Sequence, residues 1–276
     1  MTVEAFAPAK INLTLHVTCQ RADGCHLLDS LVMFADIGDR ITVEKAEETS
    51  LTVTGPMAAG VPTDASNLVL RAVSLLGAPA HITLDKHLPA AAGIGGGSSD
   101  AAATIRALTA LYDLPATNMD DLLGLGADVP VCMEDSLTRM QGIGEQVTPI
   151  GGQADWPMIL INPRVVVPTG PVFQALSRKD NPAMPDALPD WTDRKAAVSW
   201  LASQRNDLEM PAIVAQPVIG TVLQALRESQ GCTLSRMSGS GATCFGLYAD
   251  TGVRDSALKQ LQRAFPNWWI VPTQAQ

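Results

Sequence analysis

The spacing of apolar residues changes repeatedly along this 276-residue chain, and each period predicts an element. Val3, Ala5 and Ala7 alternate with their neighbours, and after Pro8 the alternation resumes at Ile11, Leu13, Leu15 and Val17, the period of two that marks strands. In that second run Lys10 and Asn12 share the face opposite Ile11 and Leu13. Taken alone, Lys10 reads as a surface lysine. Residues 21–26 (RADGCH) form a polar turn bending at Gly24. Residues 31–35 and 40–43 read as strands joined by a turn at 36–39, and 51–54 continues the β pattern. Residues 64–67 (DASN) cap a helix reaching Leu76, whose apolar face is Leu68, Val69, Ala72, Val73 and Leu76. Residues 81–84 are extended. Residues 101–112 are helical, with Ile105, Leu108, Leu111 and Tyr112 on one face. A short helix at 120–125 closes at Gly126, and 139–146, with Gly142 and Gly144, reads as a turn.

Near Gly151-Gly152 the pattern changes. A strand at 158–161 extends past Pro163 through 165–167, and a Pro- and Asp-rich loop covers 180–190. Helical periods follow around 193–203, 207–215 and 218–228. A second glycine loop, Ser238-Gly239-Ser240-Gly241, leads into a strand at 243–248, then a helix at 256–265 and a strand at 268–271. The fold class is therefore α+β on both sides of a boundary near residue 150, with domains 1–150 and 151–276.

Between the 81–84 strand and the 101–112 helix lies LPAAAGIGGGSSD, residues 88–100. Gly93, Gly95, Gly96 and Gly97 remove the Cβ atoms that would hold a ligand away from the backbone. Ser98, Ser99 and Asp100 are all competent N-cap residues. Free N–H groups and the positive end of the helix dipole make such a loop an anion site; the bland alternative is a flexible turn. A Walker A loop needs Gly-Lys-Ser/Thr, and the dinucleotide fingerprint needs a glycine where Ser98 stands, so neither applies. The loop indicates phosphate without its kind.

Charge narrows the partners. Nineteen basic against 28 acidic residues give a net charge of −9, which disfavours nucleic acid and anionic membranes and requires local positive groups for any anionic ligand. The five cysteines show neither metal spacing nor a paired framework, and Cys132 and Cys244 read as core thiols. The first residues lack the apolar core of a signal peptide, and no apolar run reaches membrane-spanning length. A soluble cytoplasmic protein is expected. A single acid, Asp128, stands among small and apolar residues at 126–131, with a turn or cap role as its structural reading.

Residues 8–13 (PAKINL), 88–100, 126–131 and 238–243 (SGSGAT) occur in the order and spacing of the GHMP kinases, which the chain resembles over nearly its whole length. Residues 21–26 and 126–130 (GADVP) narrow the likeness to the branch that phosphorylates the 2-hydroxyl of a cytidine-diphosphate-linked methylerythritol alcohol on the non-mevalonate isoprenoid route. The resemblance implies a two-domain GHMP kinase fold: a ribosomal-S5-like N-terminal domain that binds ATP, a ferredoxin-like C-terminal domain that binds substrate, and an active site in the cleft. It assigns ATP binding to Asn67, Lys86, Pro89, Gly93, Gly95, Gly96, Gly97, Ser98 and Ser99. Substrate binding falls to Asn12, Cys25, His26, Thr169, Phe173 and Gly239, and Lys10 also lies at a substrate-binding position. Asp128 matches the catalytic acid, which would take the alcohol's proton, and Lys10 would steady the developing negative charge. The implied cofactors are ATP and Mg²⁺, with Ser99 a direct or water-mediated contact.

Two departures stand out. Cys25 occupies a position where the family usually has tyrosine, and residues 118–126 are shorter than in relatives by about one helical turn. Another acceptor alcohol, of homoserine or mevalonate type, and a non-catalytic binding module are the alternatives; Phe173 with residues 21–26 disfavours the first, and retention of Lys10 with Asp128 the second. The expected partners are small molecules only, for a monomer or weak homodimer.

Overall fold

The computed structural model of the chain describes residues 1–150 and 155–274. The boundary predicted at Gly151-Gly152 lies outside the described residues. Two compact units emerge: residues 1–10, 37–90 and 95–135, and residues 11–36, 91–94 and 136–276.

In the first unit, residues 40–45 pair antiparallel with the strand Ala80–Asp85, which pairs in parallel with Ser50–Thr54. Alternation puts Ile41, Val43, Ile82 and Leu84 on one face, where they meet Val69 and Val73 of the helix Leu68–Leu76 and Ala103, Ala107, Leu108 and Leu111 of the helix Gly96–Tyr112. A second cluster, Ala72, Ala101, Ile105, Leu122, Leu125 and Val129, seats the helix Met119–Leu125 and the turn behind it.

The second unit holds an antiparallel sheet in the order Trp269–Gln274, Pro157–Asn162, Cys244–Tyr248, Cys232–Met237. The helices Val218–Glu228 and Thr251–Ala264 bring Ile219, Val222, Leu226, Ala257 and Leu261 into the core they share with Ile159, Ile161 and Cys244. In the same unit, residues 28–32 pair with Thr138–Gly142, which forms a hairpin with Gln146–Pro149, and His16–Gln20 pairs with residues 26–29.

Several expectations change. No turn occupies 36–39, because His26–Lys45 is one unbroken strand and Asp39 within it is wholly buried. The first strand runs Thr2–Asn12 through Pro8, and the break falls at 13–15 instead; strands tolerate proline where no ladder bond is made. Ser98, Ser99 and Asp100 do not cap the glycine-loop helix. It starts at Gly96 behind a left-handed Gly95 (φ 62°), with no side-chain cap bond, because only glycine takes that conformation freely. The strand Pro157–Asn162 does not extend through 165–167, since the Asn162 side chain accepts from Arg164 N at 2.7 Å and Arg164 adopts φ 60°. The turn predicted over 139–146 shrinks to the link between two strands. The strand Cys232–Met237 and the helix Thr169–Gln174 escape the periodicity, being short and mixed in polarity. Cys132 and Cys244 are buried, and burial pushes the Cys132 thiol up to about 12. Among the described residues no helix is long and apolar enough to cross a membrane.

Candidate active site

Lys10 is not a surface residue. It lies near the end of the strand Thr2–Asn12 with 3% of its surface exposed, and its Nζ meets Asp128 Oδ2 at 3.0 Å. Asp128 occupies the turn between Met119–Leu125 and the 3₁₀ segment Val131–Met133. That turn is closed by Val129 N donating to Gly126 O (2.9 Å) and Cys132 N donating to Asp128 O (3.2 Å). Arg106, on the helix Gly96–Tyr112, ties the two partners' segments together. Its guanidinium donates to Cys132 O and to Phe6 O, both at 2.9 Å. Residues 118–126 thus deliver Asp128 to Lys10. The same lysine lines the glycine loop, since a Cβ on Gly95 would stand 2.9 Å from Lys10 Cε.

Ser99 N donates to Gly95 O (2.8 Å), so the N–H groups of Gly96, Gly97 and Ser98 precede the first intrahelical bond of that helix. Ser99 Oγ is fully buried and has no hydrogen-bond partner among the described residues. Lys86 lies below this turn in a buried triad, with its Nζ 2.5 Å from Asp39 Oδ2 and 2.6 Å from Asp100 Oδ2. Burial alone would lower the lysine's pKa, but the Asp100 and Asp39 charges outweigh it and raise it. Burial raises the Asp100 carboxyl to about 7 against the pull of Lys86, with the Asp39 charge adding to the rise. Asn67 caps the helix Leu68–Leu76 through Val69 N (2.9 Å) and donates to Pro62 O (2.6 Å). Pro89 is half-buried at the start of the loop.

In the second unit, Asn12 is wholly buried, donating from Nδ2 to Ser30 Oγ at 2.8 Å and from its backbone N to Ser238 Oγ at 3.0 Å. Ser238 Oγ donates in turn to Gly93 O (2.9 Å), and a Cβ on Gly239 would lie 2.6 Å from that same oxygen. The His26 and Phe173 rings stack with centroids 4.8 Å apart at a 32° tilt. Burial lowers the His26 pKa, Lys179 adds to the effect, and Nε2 is buried without a partner among the described residues. Cys25 beside it is exposed. Thr169 Oγ1 shares a 2.9 Å hydrogen bond with Ser240 Oγ.

The family model for the GHMP kinases N terminal domain matches residues 67–139, and that for the GHMP kinases C terminal domain matches residues 186–267. The chain belongs to the GHMP kinase family. Its relatives include the 4-diphosphocytidyl-2-C-methyl-D-erythritol kinase of Cereibacter sphaeroides, 54% identical over 98% of both chains. The enzyme of the same name from Dinoroseobacter shibae is 54% identical over 98% of this chain and 94% of its own. Among solved structures, a crystal structure of 4-(cytidine 5'-diphospho)-2C-methyl-D-erythritol kinase matches at TM-score 0.79 and 32% identity, covering 99% of both chains. Homoserine kinase from Cytophaga hutchinsonii shares the fold at TM-score 0.70 and 17% identity, over all of this chain and 95% of its own.

As a GHMP kinase the chain is an ATP-dependent enzyme with the family's α+β domains. The first unit gathers Lys10, Asp128 and Gly95 around one point, with Lys86 near Gly96. The second gathers Asn12, Gly93 and Gly239 around Ser238, and separately pairs His26 with Phe173. Sequence reasoning missed Asp39, Ser30 and Ser238, whose partners lie 18 to 226 residues away in the chain. Asp39 was hidden by its setting, Asp36-Ile-Gly-Asp39, which has turn composition.

Proposed function

We propose that this kinase transfers the γ-phosphoryl group of ATP to the 2-hydroxyl of 4-(cytidine 5'-diphospho)-2-C-methyl-D-erythritol, in the cytoplasm, as a monomer or weak homodimer without nucleic-acid or membrane partners. The observation that carries this reading is the 3.0 Å Lys10–Asp128 pair beside Gly95, a proton acceptor and an ammonium next to a glycine-rich helix start. A tertiary alcohol is a poor nucleophile and must lose its proton as the phosphoryl arrives. Asp128, about one-third exposed, is reachable by that alcohol and accepts the proton. Lys10 steadies the charge that develops. The first-turn N–H groups of Gly96, Gly97 and Ser98 bind phosphate oxygens. Asn67 keeps one N–H and one lone pair beyond its cap bonds, enough for an adenine edge. Pro89 and Lys86 complete the nucleotide contacts.

Mg²⁺ belongs to the same reading. The orphaned, buried Ser99 Oγ suits a hard cation's oxygen preference. Ser99 would hold the ion directly or through water, and the bound ion supplies positive charge to the β- and γ-phosphates.

On the acceptor side, a neutral His26 with an unpartnered Nε2 offers one donor and one acceptor to a base edge. Phe173 supplies a ring face, and Asn12, Thr169 and Gly239 line the rest of the chain's substrate contacts. Coupled ADP release should show turnover with the cytidine-diphosphate alcohol and none with homoserine or mevalonate. The opposite preference would replace the substrate; silence with all three would leave a binding module.

The exposed Cys25 offers the nucleobase far less contact than tyrosine would. An aromatic pair adds roughly 0.5–1.5 kcal/mol beyond its area. Cys25→Tyr should therefore lower KM for the cytidine substrate about two- to twelve-fold, with KM for ATP unmoved. Phe173→Ala should raise the same KM. Steady-state kinetics with both substrates varied decides it, and an unchanged or weaker alcohol KM in Cys25→Tyr would assign that wall of the pocket to another residue.

A further inference from the structure

Asp39 has no part in the assignments above, yet it is the most heavily engaged carboxylate in the first unit. It sits wholly buried inside the strand His26–Lys45. A buried carboxylate is costly unless donors surround it, and Asp39 collects three from consecutive residues. Oδ2 accepts from Lys86 Nζ (2.5 Å), while Oδ1 accepts from His87 N (2.6 Å) and Leu88 N (2.8 Å). These residues are the exit from the strand Ala80–Asp85 and the entry to the glycine loop. One side chain thus fixes both the course of the chain into that loop and the place of a buried cation beside it.

The cation lies close under the loop. A Cβ on Gly96 would be 3.3 Å from Lys86 Nζ and 3.9 Å from Asp39 Oδ2. Asp100, in the same helix as Gly96, holds the ammonium from the other side at 2.6 Å. Neutralising one buried ammonium takes one carboxylate; the second supplies direction, since an ammonium on a flexible four-carbon stem is otherwise a poorly aimed charge.

We infer that Asp39 is a positioning residue for the nucleotide, holding Lys86 and the 86–88 backbone so that the glycine loop presents its first turn to the phosphates; this rests on the ATP-site reading above.

Asp39→Asn isolates the lysine link. The amide oxygen still accepts from His87 and Leu88, and Lys86 with Asp100 remains a balanced pair, so the variant is expected to fold. Loss of one hydrogen bond to a charged group predicts a rise in KM for ATP of about 10- to 100-fold. The kcat at saturation and KM for the alcohol should stay within about twofold of wild type. Lys86→Arg, which keeps all three charges but re-aims the donor, should raise KM for ATP in the same selective way. Calorimetry with a non-hydrolysable ATP analogue should reproduce the loss for both variants. An unchanged ATP KM in Asp39→Asn, an equal rise in both KM values, or a failure of that variant to fold would each overturn the inference, the last by assigning the carboxylate to folding. Absence of analogue binding by the wild-type protein would instead overturn the ATP-site reading itself.

Discussion

Asp128→Asn is expected to cut kcat by about 10²–10⁴-fold, the usual cost of removing a general base, while ATP still binds. The substitution keeps the shape of the side chain and removes only its ability to take a proton. The fold should survive, because the turn is held by backbone bonds from Val129 and Cys132 and by Arg106, none of which uses the carboxylate. The Lys10 ammonium loses its 3.0 Å charged partner but keeps an amide oxygen at that distance. Single-turnover rates with saturating ATP and alcohol measure the chemical step, and calorimetry with an ATP analogue checks that the nucleotide site is intact. A variant with near-wild-type kcat would leave Lys10 and the glycine loop to do the chemistry by positioning alone and would remove Asp128 from the proton path.

The glycine loop was legible in the sequence because its chemistry is the absence of side chains, and absence is visible without coordinates. The loop's cap was not. Ser98, Ser99 and Asp100 have the composition of caps, yet Gly95 takes the cap position and the helix starts at Gly96, leaving Ser99 and Asp100 buried within it. Local propensity cannot see that Leu88, Ile94 and Ala101 pull this stretch into the core. Lys10 and Asp39 were misread for the same reason. Charged residues are normally exposed, and the partners that permit their burial, Asp128 and Lys86, lie 118 and 47 residues away. The resemblance to the GHMP kinases singled out Lys10 because it works by motif and not by burial, and it assigned Lys86, two residues before the 88–100 motif, to the nucleotide. It was silent on Asp39. The two long strands were misdivided at Pro8 and at 36–39 because turn composition outweighed alternation there, while pairing along the strands decided the structure.

Substituting Gly95 by valine should do more than block the nucleotide. The residue adopts φ 62°, where a β-branched side chain is a genuine outlier and strain costs about 1–3 kcal/mol. Its Cβ would stand 2.9 Å from Lys10 Cε and 3.1 Å from Lys10 Cβ, so the lysine must yield or the loop must move. The lysine is 3% exposed and paired with Asp128, which leaves it little room. If the loop moves, the first-turn N–H groups lose their aim and ATP affinity falls by about 5- to 150-fold, the strain converted at 1.4 kcal/mol per decade. If Lys10 moves, the pair at Asp128 opens and kcat falls as well. The expected result is therefore a combined loss, with analogue affinity and kcat both reduced. Gly124→Ala is the control: it places a Cβ in open space on the helix Met119–Leu125, outside the site, and should change neither quantity. Calorimetry, steady-state kinetics and a melting curve on both variants separate the outcomes. Retained ATP affinity in Gly95→Val would make the loop a turn only, and a loss of affinity without loss of kcat would show that Lys10 keeps its hold on Asp128 when the loop gives way.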